Sequence, residues 1–320
     1  VGVPQVRLVE TGPARQTLEI TQVYRIPAGL GETRFERSAE TVDLPLTTHV
    51  SLTAGVNRVE VATSVENKAR DHRLRVHFPV PVTVDTFDAE SHMDIITRSL
   101  DLPTDTEDWV EQPVGTHPQR AWADVSDADG GLLVANRGLP EVEVLRAAGG
   151  SELALTLLRS VGWLSRADLA VRRGHAGPGL PTPEAQCLDT YTFEYALIPH
   201  AGDRLAAEIQ ARDFNAPFRA TTTPAHDGAL PAAQSFVEVA PAALAVSTVK
   251  EAEDGAGLIV RMWNTRGADT EATVRFWQTP QRVTLRNLGE RELETLEVAS
   301  DGTVTVPARG HQIITLCAEF

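Results

Sequence analysis

The chain has 320 residues, 42% of them hydrophobic, with 44 Asp and Glu against 29 Lys and Arg and a formal net charge of −15. That length holds one large all-β domain, or a large one with a small companion. The acidic balance argues against nucleic acid and anionic membranes, which call for clustered Lys and Arg, and suits a soluble protein with neutral partners such as sugars.

In chain order, period-two alternation comes first. Residues 17–24 read as a strand, and so does the run from Val56 to Val65, which sets Val59, Val61 and Val65 on one face with Thr63 between them. Leu74, Val76 and Phe78 repeat the pattern, followed by 131–135, 142–145, 153–158 and 191–197. Turn formers separate these runs, among them Asp129-Gly130-Gly131 and Ala148-Gly149-Gly150. Helix signal is confined to 204–212, where good helix formers surround Leu205 and Ile209. A segment rich in Pro, Thr and Gly around 222–234 marks a boundary, placing one domain over 1–228 and a second over 229–320. The second carries strands at 235–239, 244–249, 258–263, 272–277 and 304–306. Short strands punctuated by Gly and Pro mean a sandwich rather than βα units.

Two cysteines, Cys187 and Cys317, lie far apart in strand-like runs, as buried reduced thiols do, and this fits a cytoplasmic setting. No signal peptide is visible and no apolar run is long enough to span a bilayer. Val1 already reads as part of a strand, so the sequence looks cut from something longer.

Two irregular zones, 100–119 and 172–186, are the long loops on which binding residues usually sit. The first holds Asp105, Glu107, Asp108 and Glu111 beside Trp109, the best exposed candidate for a sugar platform. Asp85, Asp88, Glu90 and Asp94 form a second acidic stretch. Spacing within one loop does not create the opposed carboxylate pair that glycoside hydrolysis requires, so no catalytic residue is assigned. His72 and His77 fall on opposite strand faces, and His92 with Asp94 shares a face but lacks a third ligand, so no metal ligand is assigned either. Gly-x-Ser-x-Gly, Walker and dinucleotide-binding signatures are absent. The segment 166–186 packs Arg166, Arg172, Arg173, His175 and Glu184 between prolines and glycines. Such groups suit sugar hydroxyls or the orientation of a carboxylate, or they pair among themselves at a domain interface. Trp263 and Trp277, in alternating strands, are expected in the core.

The string LLRSVGWLSRADLAVRRGHAGPGLPTPEAQCL, followed by FEYALIPH, resembles the C-terminal region of bacterial glycoside hydrolase family 38 α-mannosidases. So do VRLVETGPARQTLEI, NKARDHRLRVHFP, DLPTDTEDWVEQPVGTHPQRAWADVSD, GLLVANRGLPEVEVL, FNAPFRA and SFVEVAP, all in order along nearly the whole chain. The resemblance implies a large galactose-mutarotase-like super-sandwich, with its first strands missing, followed by a smaller C-terminal β-sandwich. It implies removal of α-mannosyl residues with retention, by a nucleophile and a zinc site in an upstream catalytic domain joined through a helical domain. The cofactor expected for this chain is none, with zinc in the full-length parent. By position, the loops carrying His117 and Arg120, and Arg172, Arg173 and His175, with Glu184 and Trp109, are the candidates for positioning α-mannosides. A stand-alone carbohydrate-binding module and a structural or oligomerisation module are the alternatives, and a homo-oligomer stays open.

Overall fold

The computed structural model describes residues 1–320 and is built almost wholly of strands. In the first half these are β1 (Gln5–Thr11), β2 (Arg15–Pro27), β3 (Thr41–Thr53), β4 (Val59–Glu66), β5 (Arg73–Val80), β6 (Thr86–Glu90), β7 (Ile95–Ser99), β8 (Thr116–Pro118), β9 (Trp122–Ser126), β10 (Gly131–Asn136), β11 (Glu141–Ala147) and β12 (Gly150–Arg159). Two short strands, β13 (Asp168–Leu169) and β14 (Arg172–Arg173), a 3-10 turn at Pro183–Gln186, β15 (Thr190–His200) and the helix α1 (Leu205–Asn215) follow. The remainder is β16 (Val237–Ala240), β17 (Leu244–Glu251), β18 (Leu258–Asn264), β19 (Thr270–Phe276), β20 (Arg282–Arg286), β21 (Glu292–Leu296), β22 (Thr303–Ala308) and β23 (Ile313–Glu319).

The chain divides into two compact units, one of Val1–Ser91 with Ile96–Pro217, the other of His92–Ile95 with Phe218–Phe320. In the first, a nine-stranded sheet ordered β1-β2-β3-β4-β15-β10-β9-β6-β7 stacks on a four-stranded sheet ordered β5-β12-β11-β8. Alternation decides which side chains meet between the layers. Val61, Phe87, Ala89, Ala123, Val125, Val134 and Tyr195 come from the large sheet, and Val80, Val142, Val144, Leu153, Leu155 and Leu157 from the small one. Each such burial contributes roughly 1.5–3 kcal/mol before entropy is counted. Helix α1 lies against β10 and β15 and buries Ala207, Ala211 and Phe214. The guanidiniums of Arg58 and Arg137 sit 5.8 and 4.1 Å from the Phe214 ring centroid, so the helix is capped by cation–π contacts as well as apolar area.

The second unit pairs a three-stranded sheet, β16-β19-β22, with a five-stranded one, β17-β18-β23-β20-β21. Ala272, Val274, Phe276, Val304 and Val306 on one layer face Val260, Met262, Val283, Ile314 and Leu316 on the other. Trp263 is 4% exposed, as alternation predicts, but Trp277 is 38% exposed, against the expectation of a core position. Strand β19 ends at Phe276, and since Ala272, Val274 and Phe276 point inward, the next side chain points out.

The thiols are free: Cys317 is buried, whereas Cys187 is only half-buried at the end of the 3-10 turn. No helix is long and apolar enough to cross a membrane.

Candidate functional site

Loops at one end of the first unit interlock into a layer. Within the first, Gln112 donates to the Thr106 carbonyl at 2.9 Å and accepts from the Thr106 hydroxyl at 3.0 Å, while the Trp109 amide donates to Thr106 O at 2.9 Å. This knot presents Trp109, 51% exposed. The second loop folds into the β13–β14 hairpin, with Asp168 opposite Arg173 and Leu169 opposite Arg172. Backbone bonds stitch the two together: Gln112 N donates to Val171 O at 2.7 Å and Arg173 N to Val110 O at 3.3 Å. The Arg172 guanidinium donates to Glu111 at 2.7 Å, and its buried Nε has no hydrogen-bond partner. Trp109, Arg172 and Arg173 are thus brought into one surface, with Glu111 accepting one N–H of the Arg172 guanidinium. His175 and Glu184 lie further along the same segment, both exposed.

A third loop braces this surface. Asp168 pairs with Arg34 at 3.0 Å and with Arg166 at 2.6 Å. Both guanidiniums lie 5.6 Å from the Trp163 ring centroid. Beneath, Asn67, 2% exposed, ties the layer to the sheet. Its amide donates to Cys187 O at 2.8 Å, Gln186 O at 3.2 Å and Ser160 Oγ at 3.3 Å, and its Oδ1 accepts from Ala69 N at 3.1 Å and bonds His72 Nε2 at 2.9 Å. Gln186 in turn bonds Asp71 twice, amide to carboxylate and backbone N–H to side-chain carbonyl, each at 2.8 Å. Burial pushes the His72 imidazole below its ordinary pKa, and nearby Arg37 adds to the effect.

His117 does not join this surface. It sits on β8 opposite Val142 of β11 and lines a separate cavity of about 620 Å³ with Arg137, Glu141, Thr156, Arg159 and Phe193. There Glu141 accepts from Thr156 at 2.7 Å and Arg73 at 3.1 Å. Burial, followed by the charge of Arg98, lowers the His117 pKa. Arg120 belongs to neither place: its backbone N–H donates to Glu90 O at 2.8 Å and its guanidinium lies 3.4 Å from the buried Glu90 carboxylate. Two loop positions expected to act together therefore meet different neighbours, His117 within β8 and Arg120 beyond its end at Pro118.

The sequence reading passed over Arg34, Trp163, Asp168 and Asn67, although Trp163, Asp168 and Asn67 lie inside the strings that carried the resemblance. It also missed a buried charge cluster. Asp124, 1% exposed, holds His200 at 2.8 Å, and Arg204 pairs with Asp88 and, at 2.9 Å, with Glu208, its guanidinium 5.4 Å from the Trp122 ring. Although burial alone would lower it, Asp88 and Glu208 raise the Arg204 pKa. The acids Asp88 and Glu90 are half-buried and buried. His92 and Asp94 lie in a bend rather than a strand. No three His, Cys, Asp or Glu side chains converge in an arrangement fit for a metal ion. By themselves these residues do not make a zinc site.

Stacked antiparallel sheets joined by long loops define a protein of two β-sandwich units. Residues 3–170 match the family described as glycosyl hydrolases family 38 C-terminal domain, and residues 243–316 match the glycosyl hydrolases family 38 C-terminal beta sandwich domain. The chain belongs to glycosyl hydrolase family 38. A solved α-mannosidase from Enterococcus faecalis V583 is 29% identical and superposes with a TM-score of 0.83 over 99% of this chain and 35% of its own. A protein of Halalkalibacterium halodurans, bearing the name of a mannosylglycerate hydrolase, is 28% identical over 97% of this chain and 34% of its own length. Mouse alpha-mannosidase 2C1 is 25% identical over 77% of this chain and 22% of its own. The chain spans about a third of the first two relatives and matches less of the third.

Proposed function

We propose that this chain is the C-terminal part of an α-mannoside hydrolase, providing its β scaffold and a loop layer that positions substrate. The observation that carries the proposal is the 29% identity and 0.83 TM-score with an α-mannosidase along 99% of the chain. On this reading bond cleavage, with retention and with zinc, belongs to an upstream catalytic domain that a helical domain joins to the present sheets, and the whole protein works in the cytoplasm. The residues here bind and orient. Trp109 offers an apolar face to a sugar ring, Arg172 is paired with Glu111, and Arg173 and His175 supply donors at the rim. His117, in its own cavity, and Arg120, against Glu90, support the scaffold instead.

The test is steady-state hydrolysis of an aryl α-mannoside by the full-length enzyme and its Arg172→Ala and Trp109→Ala variants. Loss of positioning raises KM about three- to tenfold, with kcat changing less. An equal fall in kcat with KM unchanged refutes a positioning role, and absence of mannoside turnover in the parent enzyme refutes the activity.

A further inference from the structure

Trp277 and its surroundings in the second unit are used by nothing described so far. Strand parity turns the indole outward, and two phenylalanines set it in place. The Phe320 ring lies 4.4 Å away at 37°, and the Phe236 ring lies 5.6 Å away, edge-on at 70°. All three remain substantially exposed, at 38% for Trp277, 37% for Phe320 and 49% for Phe236. Exposed aromatic side chains gathered into one patch mark a binding surface more often than chance does.

What distinguishes this patch from a plain apolar face is its rim. A cavity of about 280 Å³ is lined by Gln234, Ser235, Glu238, Arg275, Trp277 and Asp301. Arg275 forks onto Glu238 at 3.1 and 2.6 Å across the β16–β19 ladder, and both side chains are about half exposed. Asp301 is pinned by the Thr303 N–H at 3.1 Å, in a turn that Gly302 makes possible with φ +80°. Donors and acceptors therefore stand beside an aromatic ring in a recess just below the ligand-pocket range of roughly 300–1,000 Å³, a size for one sugar ring. Arg275 offsets Glu238 and Asp301 adds one negative charge, so the recess disfavours anions and presents both donors and acceptors to a neutral ligand. A partner with an apolar C–H face and hydroxyls around its edge matches both halves of the recess.

We propose that Trp277, flanked by Glu238, Arg275 and Asp301, forms a non-catalytic subsite for one neutral pyranose ring, stacked on the indole and hydrogen-bonded at its rim. This goes beyond the hydrolase reading and does not depend on it.

The experiment uses the full 320-residue chain with methyl α-mannoside and mannobiose as probes, read by saturation-transfer NMR and by tryptophan fluorescence. Binding is expected in the millimolar range, about −4 kcal/mol. Trp277→Ala weakens it at least about tenfold, and Arg275→Gln weakens it less. Trp277→Phe, which keeps a ring and the local packing, gives an intermediate loss and covers the case in which the alanine variant fails to fold. Leu293→Ala, exposed on β21 and outside the recess, leaves the affinity unchanged. Absence of binding by either method, or binding unaltered in all Trp277 and Arg275 variants, overturns the inference. Sedimentation supplies a further arm: if the chain self-associates and Trp277→Ala abolishes it, the patch is a contact between copies and the subsite is refuted. Aryl α-mannoside turnover by the full-length enzyme is measured separately, so failure of this subsite and failure of the hydrolase reading are told apart.

Discussion

Replacing Asn67 by alanine should release the loop layer from the sheet. Its amide has two N–H hydrogens facing three acceptors, so one bond is shared, while Oδ1 takes two further partners. About four effective hydrogen bonds are lost inside a region where Asn67 is 2% exposed, at a net of about 1 kcal/mol each. Water entering the small void returns part of this, leaving a cost of about 3 kcal/mol. Urea denaturation of the first unit should show the midpoint fall with little change in slope. Amide exchange should rise over 160–187, whose Gln186 and Cys187 carbonyls lose their donor. A loss below about 1 kcal/mol, or unchanged exchange in that segment, would refute the claim that Asn67 is the anchor.

Three other outcomes follow from the same structure. His72 and His117 both have pKa values lowered from 6.5, chiefly by burial. The unfolded chain therefore takes up more protons, so their stabilising contribution is complete above pH 6.5 and is lost as pH falls through the lower folded values. A melting series from pH 7.5 to 5 should show this, and His72→Gln should flatten it. Glu90 has the opposite sign: burial, opposed by Arg120 and Arg212, raises its carboxyl pKa, and Oε2 lacks a hydrogen-bond partner. Glu90→Gln should raise stability near neutral pH by about 1 kcal/mol, with the gain vanishing as acid protonates the native carboxyl; a destabilised variant at pH 7 contradicts this. A Cβ on Gly150 would stand 2.2 Å from Val80 O in the adjoining strand, so Gly150→Ala should cost about 2–3 kcal/mol in thermal unfolding, and a variant melting like the parent would show that the strands part easily there.

Much of the architecture was legible because alternation is a local property. The runs around Val61, Val76, Val134 and Leu155 read directly as strands whose inward faces meet in the first core. Strand β3 was not read, since Pro45 interrupts it and removes a ladder donor. In the fold Pro45 pairs only toward β2, opposite Val23, and the β3–β4 ladder starts at Leu46, so the missing N–H falls where no neighbour needs it. Trp277 was misjudged although its parity with Phe276 was available, because a tryptophan beside an apolar run invites a core reading. The site was less legible for a different reason. Glu111 with Arg172, and Asn67 with Cys187, are joined across 61 and 120 positions, and nothing local in either segment specifies the partner. Arg120 shows the converse: three positions from His117, yet committed to Glu90.

The place of β15 has a consequence for the integrity of the molecule. It is zipped on one side to β4, from Thr190 against Glu66 to Leu197 against Val59, and on the other to β10, from Tyr195 against Asn136 to His200 against Gly131. Residues 174–181 just ahead of it are all exposed, and a protease would find its easiest target there. A cut at that point would not free the distal piece, since its first strand is already clasped between two strands of the proximal one. The nicked protein should migrate as one species under native conditions and as two only after denaturation. Reassembly from the separated pieces would be slow, because partners remote in sequence must meet before anything rewards them.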